Sequence, residues 1–130
     1  MKKLTVFTPT FNRKNLLPRL YDSLRHQTNH NFVWMVIDDG STDGTEKLVK
    51  TWQLENVIEI LYFYKKNEGM HSAHNVAYEK INTLWNTCID SDDMMAEDAV
   101  ESILHHVQDI GHDDDFYAVV GLDADLSGNL

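Results

Sequence analysis

The sequence predicts an α/β fold, a mainly parallel sheet with helices on both faces, in one domain over residues 1–130. Two observations carry this. Short apolar runs alternate with stripes of helical period in the order βαβαβαβαβ, without repeat, linker or low-complexity tract, and such alternation marks parallel strands joined by crossover helices. Polar clusters at Thr8, Asp38, Lys65 and Asp90 each follow an apolar run, so their loops converge on the sheet edge where α/β proteins bind ligands.

Residues 4–7 form a short apolar run closed by Thr8-Pro9, as a buried strand entering a loop would be. Leu16, Leu17, Leu20, Tyr21 and Leu24 keep helical spacing. Pro18 is tolerated only in a first turn, so this helix begins near Asn15. Residues 32–37 are a second apolar run, stopped by Asp38-Asp39-Gly40-Ser41. Asp43 with Glu46 has the form of a helix N-cap pair, and Leu48, Val49 and Trp52 supply that helix's inward stripe. Residues 57–64 are the third strand, Ala73, Val76, Ala77 and Ile81 mark the third helix, and residues 84–89 the fourth strand. Ala96, Ala99, Val100, Ile103, Leu104, Val107 and Ile110 make the cleanest helical stripe, and residues 116–122 a fifth strand. Trp34, Trp85 and the aromatics at 62–64 fall in strands and read as core or helix-packing residues. Cys88, in mid-strand, reads as a small core residue.

At 130 residues, 42% hydrophobic and 25% charged, the chain can build a core without staples, and disordered, collagen and coiled-coil classes are excluded. A single cysteine excludes an intrachain disulfide and points to a reducing compartment. Met1-Lys2-Lys3 precedes an apolar run too short for a secretory leader, and no apolar run is long enough to span a bilayer. The net charge of −10 is unevenly spread. Residues 1–80 hold all 11 Lys and Arg, whereas residues 81–130 hold 12 of the 21 acids and no Lys or Arg. An end so acidic argues against nucleic acid and invites a cation. Asp113, Asp114 and Asp115 read as a solvated face.

Asp90-Ser91-Asp92-Asp93 sets three carboxylates side by side after an apolar strand, where mutual repulsion calls for a compensating charge. A hard divalent cation, completed by water and phosphate oxygens, would supply it; capping of the next helix is the alternative. Asp38-Asp39-Gly40-Ser41-Thr42-Asp43 reads either as a turn with a helix cap or as a second polar ligand site. His71 and His74 share a helical face, but without a third soft ligand nearby they read as capping or ligand-bonding residues rather than a zinc site. Asp123-Ala124-Asp125-Leu126-Ser127-Gly128 begins like a calcium loop, lacks the closing Glu, and reads as a turn.

Thr8-Pro9-Thr10-Phe11-Asn12-Arg13, Val36-Ile37-Asp38-Asp39-Gly40-Ser41-Thr42-Asp43, Asn67-Glu68-Gly69 with His74-Asn75, and Asp90-Ser91-Asp92-Asp93 together resemble the successive motifs of family 2 glycosyltransferases with the Rossmann-like GT-A fold, over residues 3–122. The resemblance implies an inverting transfer of sugar from a nucleotide-diphosphate donor, UDP-sugar favoured, assisted by Mn²⁺ or Mg²⁺. It implies donor-binding roles for Thr8, Pro9, Thr10, Phe11, Asn12, Asp39, His74, Asn75 and Asp92. In that pattern Phe11 packs on the base, Asp39 reads the base or ribose, and Asp92 and Asp93 meet the ribose and the metal, with Asp93 the direct ligand.

Two features depart from the pattern: His74 stands where many members have Arg, and Glu68 where they have a second Gly. A neutral imidazole is a weaker phosphate partner than a guanidinium. The resemblance places the general base, an acid that deprotonates the acceptor hydroxyl, in an acceptor-binding half beyond Leu130. The expectation is therefore a chain truncated on its C-terminal side, complete in its donor site and incomplete in its acceptor site. Its partners would be the donor and a glycan or lipid-linked acceptor. Its place would be the cytoplasm, attached peripherally to the inner face of the membrane through a further C-terminal region. Other readings are a non-catalytic nucleotide-sugar-binding module and a sugar nucleotidyltransferase, the latter opposed by the Gly-free loop at 8–13. A receiver domain would carry its acidic pair after the first strand, not the second.

Overall fold

The structure is a computed structural model and describes residues 1–108 and 110. Its elements are β1 (Leu4–Thr10), α1 (Leu17–Arg25), β2 (Phe32–Asp38), α2 (Thr45–Glu55), β3 (Glu59–Tyr64), α3 (Met70–Lys80), β4 (Trp85–Cys88) and α4 (Ala99–Val107). The strands form one parallel sheet in the order β3-β2-β1-β4. The expected fifth strand at 116–122, the acids Asp113, Asp114 and Asp115 and the turn at 123–128 lie outside the described residues.

β1 and β2 occupy the middle of the sheet and every residue in them is buried, because helices cover both their faces. On one face Leu4, Val6, Phe32, Trp34, Val36 and Ile60 meet α1 through Leu17, Leu20, Tyr21 and Leu24, α2 through Val49 and Trp52, and α4 through Val100. Tyr21 forms a triangle with two indoles, its ring stacked at 4.3 Å from Trp52 and 6.1 Å from Trp34, which are themselves 5.9 Å apart. Burial and a 2.6 Å hydrogen bond to Glu55 push its hydroxyl up to about 12. On the other face Phe7, Met35 and Ile37 pack against Ala73 and Ala77 of α3. Small residues there let the helix sit close to the sheet.

The edge strands differ from the sequence expectation. Cys88 ends β4 and is exposed, so it is not a core residue. Tyr64 at the end of β3 is likewise 53% exposed, while Trp85 packs partly buried against the main core. The N-cap of α2 is Gly44 rather than Asp43. Asp43 lies one residue earlier and accepts hydrogen bonds from the backbone N and Oγ1 of Thr45 and from the backbone N of Lys14. No helix among the described residues is long and apolar enough to cross a membrane.

The segment that carries the acidic cluster is held by α1 and by Gln27 just beyond its end. Gln27 donates to the Ala96 carbonyl at 2.6 Å and accepts from the Val100 amide at 3.0 Å, while Ser23 Oγ accepts from the Met95 amide at 3.0 Å. Arg19 donates to the Asp92 carbonyl. These bonds fix residues 92–100 against α1 and the turn after it, and so fix where the cluster before α4 can stand.

Candidate functional site

The chain steps outward from β1 through β2 to β3 and then returns to place β4 on the far side of β1. Loops leaving β1 and β4 therefore diverge, and a crevice opens between them at the carboxyl ends of the strands. Here it is a cleft of about 390 Å³ lined by Pro9, Thr10, Phe11 and Arg13, by Asp39, by Asn67, Gly69 and Met70, and by Asp90, Ser91 and Asp92. A wider hollow of about 900 Å³ at the opposite ends of the strands holds none of the sequence motifs.

The walls of the cleft are tied together by polar side chains. Asn12, at φ +50, donates its backbone N–H to Ser41 Oγ and accepts from the Thr42 amide through Oδ1, each at 2.8 Å. With the Lys14–Asp43 bond, this joins the loop after β1 to the loop after β2. Asp38 accepts from the Ser41 amide at 2.8 Å and from the Tyr62 hydroxyl. Burial first, and then the facing Asp38 carboxylate, drive the Tyr62 hydroxyl far above its ordinary range, so it stays a donor.

Asp39 is almost wholly buried and accepts three hydrogen bonds within the protein. Its Oδ1 accepts from Lys65 Nζ at 2.8 Å and from the Glu68 amide at 3.0 Å, and its Oδ2 accepts from the Gly69 amide at 2.9 Å. Burial acts to raise this carboxyl, but Lys65 and the two amides outweigh it and hold the group below the usual carboxylate range. Asp43 is held low in the same way by Thr45 and Lys14 against its burial. Both carboxylates therefore add full stability above their ordinary titration range and lose it only as pH falls through the lowered native value.

Gly40 completes the join. It sits at φ +91, and a Cβ there would come within 2.9 Å of the Asn67 backbone N. Gly69 has a similar φ of +95, yet a Cβ there would meet nothing within 4 Å. Gly69, at ψ 168, holds a conformation open essentially to glycine alone, so Gly69→Ala is expected to cost that backbone strain, about 1–3 kcal/mol, and Gly40→Ala distinctly more. Urea unfolding of both variants checks this, and equal losses would show that the close approach of residues 40 and 67 carries no energy.

At the other wall, Asp90, Asp92 and Asp93 each bring a carboxylate oxygen within 4.8 Å of the others. The turn that does so is closed by the Asp93 amide donating to the Asp90 carbonyl at 3.0 Å. Arg13 stands 3.5 Å from the Asp92 carboxylate. Three oxygen donors in this spacing suit a hard divalent cation. Thr10 adds a second sign of a ligand site: its hydroxyl is buried and has no hydrogen-bond partner among the described residues.

Of the residues proposed from sequence, Pro9, Thr10, Phe11, Asp39 and Asp92 meet at the cleft, and Asp93 joins Asp92 in the acidic group. Four do not line it. Thr8 is fully buried and accepts a 2.9 Å hydrogen bond from the Trp34 indole. Asn12 is spent on the loop junction. The His74 ring packs edge-on against Phe7 at 5.7 Å, and Asn75 is exposed on α3. His71 is exposed too, and neither histidine belongs to a metal-binding group among the described residues. Sequence reading missed the role of Arg13, which lines the cleft, and that of Lys65. The only linear signal of Lys65 is its place after the third apolar run, since its partner Asp39 is 26 positions away.

This parallel sheet, with a polar cleft at its switch point and an acidic group on the rim, has the GT-A glycosyltransferase fold. The sequence pattern of Glycosyl transferase family 2 matches residues 5–126, and the chain belongs to that family. An uncharacterized glycosyltransferase of Rickettsia bellii is 35% identical over 107 residues, which are 82% of this chain and 15% of that protein. The chain thus spans a small part of that relative's length. The S. aureus TarS 1-349 structure in complex with UDP-GlcNAc superposes with a TM-score of 0.76 at 25% identity, covering 82% of this chain and 31% of that one. The mannosyltransferase PcManGT of Pyrobaculum calidifontis, in complex with GDP-Man and Mn²⁺, gives 0.76 at 23% identity over 83% of this chain and 33% of that one, a likeness of fold.

Proposed function

We propose that this chain binds a nucleoside-diphosphate sugar together with Mn²⁺ or Mg²⁺ and forms the donor-binding part of an inverting glycosyltransferase. The observation that carries the reading is the acidic group Asp90, Asp92 and Asp93 on the rim of a cleft that also holds Thr10, Phe11 and Asp39. The donors bound by TarS and PcManGT support it.

Each lining residue has a separable task. Asp39 uses three acceptor positions within the protein, which leaves Oδ2 able to accept one further donor. An ionised carboxylate only accepts. It therefore takes the ring N–H of uracil or guanine, whereas cytosine reaches it only through its exocyclic amino group, its ring nitrogen being an acceptor. Phe11, 39% exposed at the cleft mouth, offers its ring to the face of the base. The Thr10 hydroxyl gains the partner it lacks. Asp92 and Asp93 hold the cation, and Arg13 beside Asp92 offers a guanidinium to phosphate oxygens. A bound cation supplies the positive charge that stabilises a departing diphosphate. The acceptor, a glycan or lipid-linked hydroxyl, and the base that deprotonates it are part of the same proposal for the whole protein.

Calorimetry with UDP, GDP and CDP in the presence of Mn²⁺ tests the reading. Binding of UDP or GDP above CDP is expected, and Thr10→Val, which removes only a hydroxyl, is expected to weaken it by about two- to tenfold. Absence of binding by all three nucleotides would sink the proposal.

A further inference from the structure

We infer that Lys65 is a positioning residue that sets the affinity and base preference of the nucleotide site by holding the Asp39 carboxylate. The inference rests on the nucleotide reading above and deepens it. Lys65 itself does not line the cleft, so its influence on a ligand passes through its partner.

The geometry isolates this role. Lys65 stands at the carboxyl end of β3, where its backbone N–H donates to the Asp38 carbonyl at 2.9 Å and prolongs the β2–β3 pairing by one bond. That bond fixes the lysine beside the Asp38-Asp39-Gly40 turn. Its Nζ then reaches Asp39 Oδ1 at 2.8 Å and the Lys66 carbonyl at 2.7 Å. The side chains are only 13% and 3% exposed, so the pair is shielded from water in a way the rim pairs are not. Glu68 Oε1, 3.9 Å from the same ammonium, is more than half exposed and competes weakly. Because Oδ1 is fixed by Lys65 and the Glu68 amide, Oδ2 is the oxygen left to face a ligand.

Removing the ammonium should turn the carboxylate and discharge it. The two amides of residues 68 and 69 remain, but burial is then opposed by no cation at bonding distance. The other charges around the cleft are Arg13 after β1 and Asp90 and Asp92 after β4; the two acids add to the cost of a buried anion. The Asp39 carboxyl, now held low, should rise, and a protonated Asp39 can no longer accept only. Affinity should then fall more steeply on acidification in a Lys65 variant than in the native chain. The diphosphate's own titration is common to both proteins and cancels in the ratio.

Calorimetry with UDP, GDP and CDP plus Mn²⁺, between pH 7.5 and pH 5.5, on the native chain, Lys65→Arg, Lys65→Met and Lys65→Gln decides it. Partners that orient metal-ligating side chains typically carry about 10- to 100-fold in affinity, and a partner that orients a base-reading carboxylate is expected to act on the same scale. Lys65→Met and Lys65→Gln are expected to lose about tenfold or more for UDP and GDP, to lose less for CDP, and to weaken further toward the acidic end, while Lys65→Arg stays within about threefold of native. Native-like affinity in the Met or Gln variant would overturn the assignment. So would failure of both to fold, since the ion pair would then serve the fold and not the site. If the native chain binds none of the nucleotides, the failure belongs to the nucleotide reading itself.

Discussion

Asp93→Asn is expected to abolish the coupling between divalent cation and nucleotide. Two carboxylates leave most of a cation's coordination open, and diphosphate oxygens complete it, so each ligand strengthens the other in the native chain. Coupling of this kind is ordinarily about 5- to 150-fold. The ratio of nucleotide affinity with Mn²⁺ to that with EDTA measures it directly. Asp92→Asn should reduce the ratio as well, although it also releases Arg13 from its 3.5 Å contact. Asp43→Asn is the control: its carboxylate serves the Lys14 and Thr45 amides, so stability should fall while the ratio holds. Equal affinities with Mn²⁺ and EDTA in the native chain would remove the cation from the site.

Trp34→Ala carries the largest expected stability loss. The indole is fully buried at the centre of the sheet, against both Tyr21 and Trp52 on one face, and its Nε1–H donates to Thr8 at 2.9 Å. Truncating a buried Trp costs about 3–5 kcal/mol. Leaving the Thr8 hydroxyl unpartnered adds about 1–3 kcal/mol. Domains are stable by only about 5–15 kcal/mol, so the variant should be unfolded or close to it at room temperature. Leu54→Ala, at a side chain 86% exposed, should change little. Urea and thermal unfolding followed by circular dichroism give both values, and a Trp34→Ala loss below about 1 kcal/mol would contradict the packing described.

Much of the site was legible in the sequence because its signals are local. The acidic run at 90–93 and the pair at 38–39 stand where apolar strands stop, and strands, helices and their order follow from periodicities a few residues long. What was not legible are partnerships between distant positions. Thr8 and Thr10 lie two residues apart in one motif, yet one hydroxyl is taken by Trp34 and the other stays unpartnered at the cleft. The distinction depends on how far β1 runs beneath a core side chain from β2. The pairing of Arg13 with Asp92 and of Lys65 with Asp39 likewise has no trace in the linear pattern.

The sequence by itself determined the α/β class, the order of elements and the set of polar loops, since each follows from how a short segment divides its apolar and polar side chains. The strand order β3-β2-β1-β4 and the register Ile37 to Pro9 and Asp38 to Tyr64 were decided only in the tertiary structure. Those choices are made by burying two large apolar faces at once. The central strands are apolar on both faces, so their local pattern leaves neighbour and register open. Only when α1, α2 and α4 cover one side of the sheet and α3 the other does a single arrangement remain, and it is that arrangement which brings Thr10, Asp39 and Asp92 to one cleft.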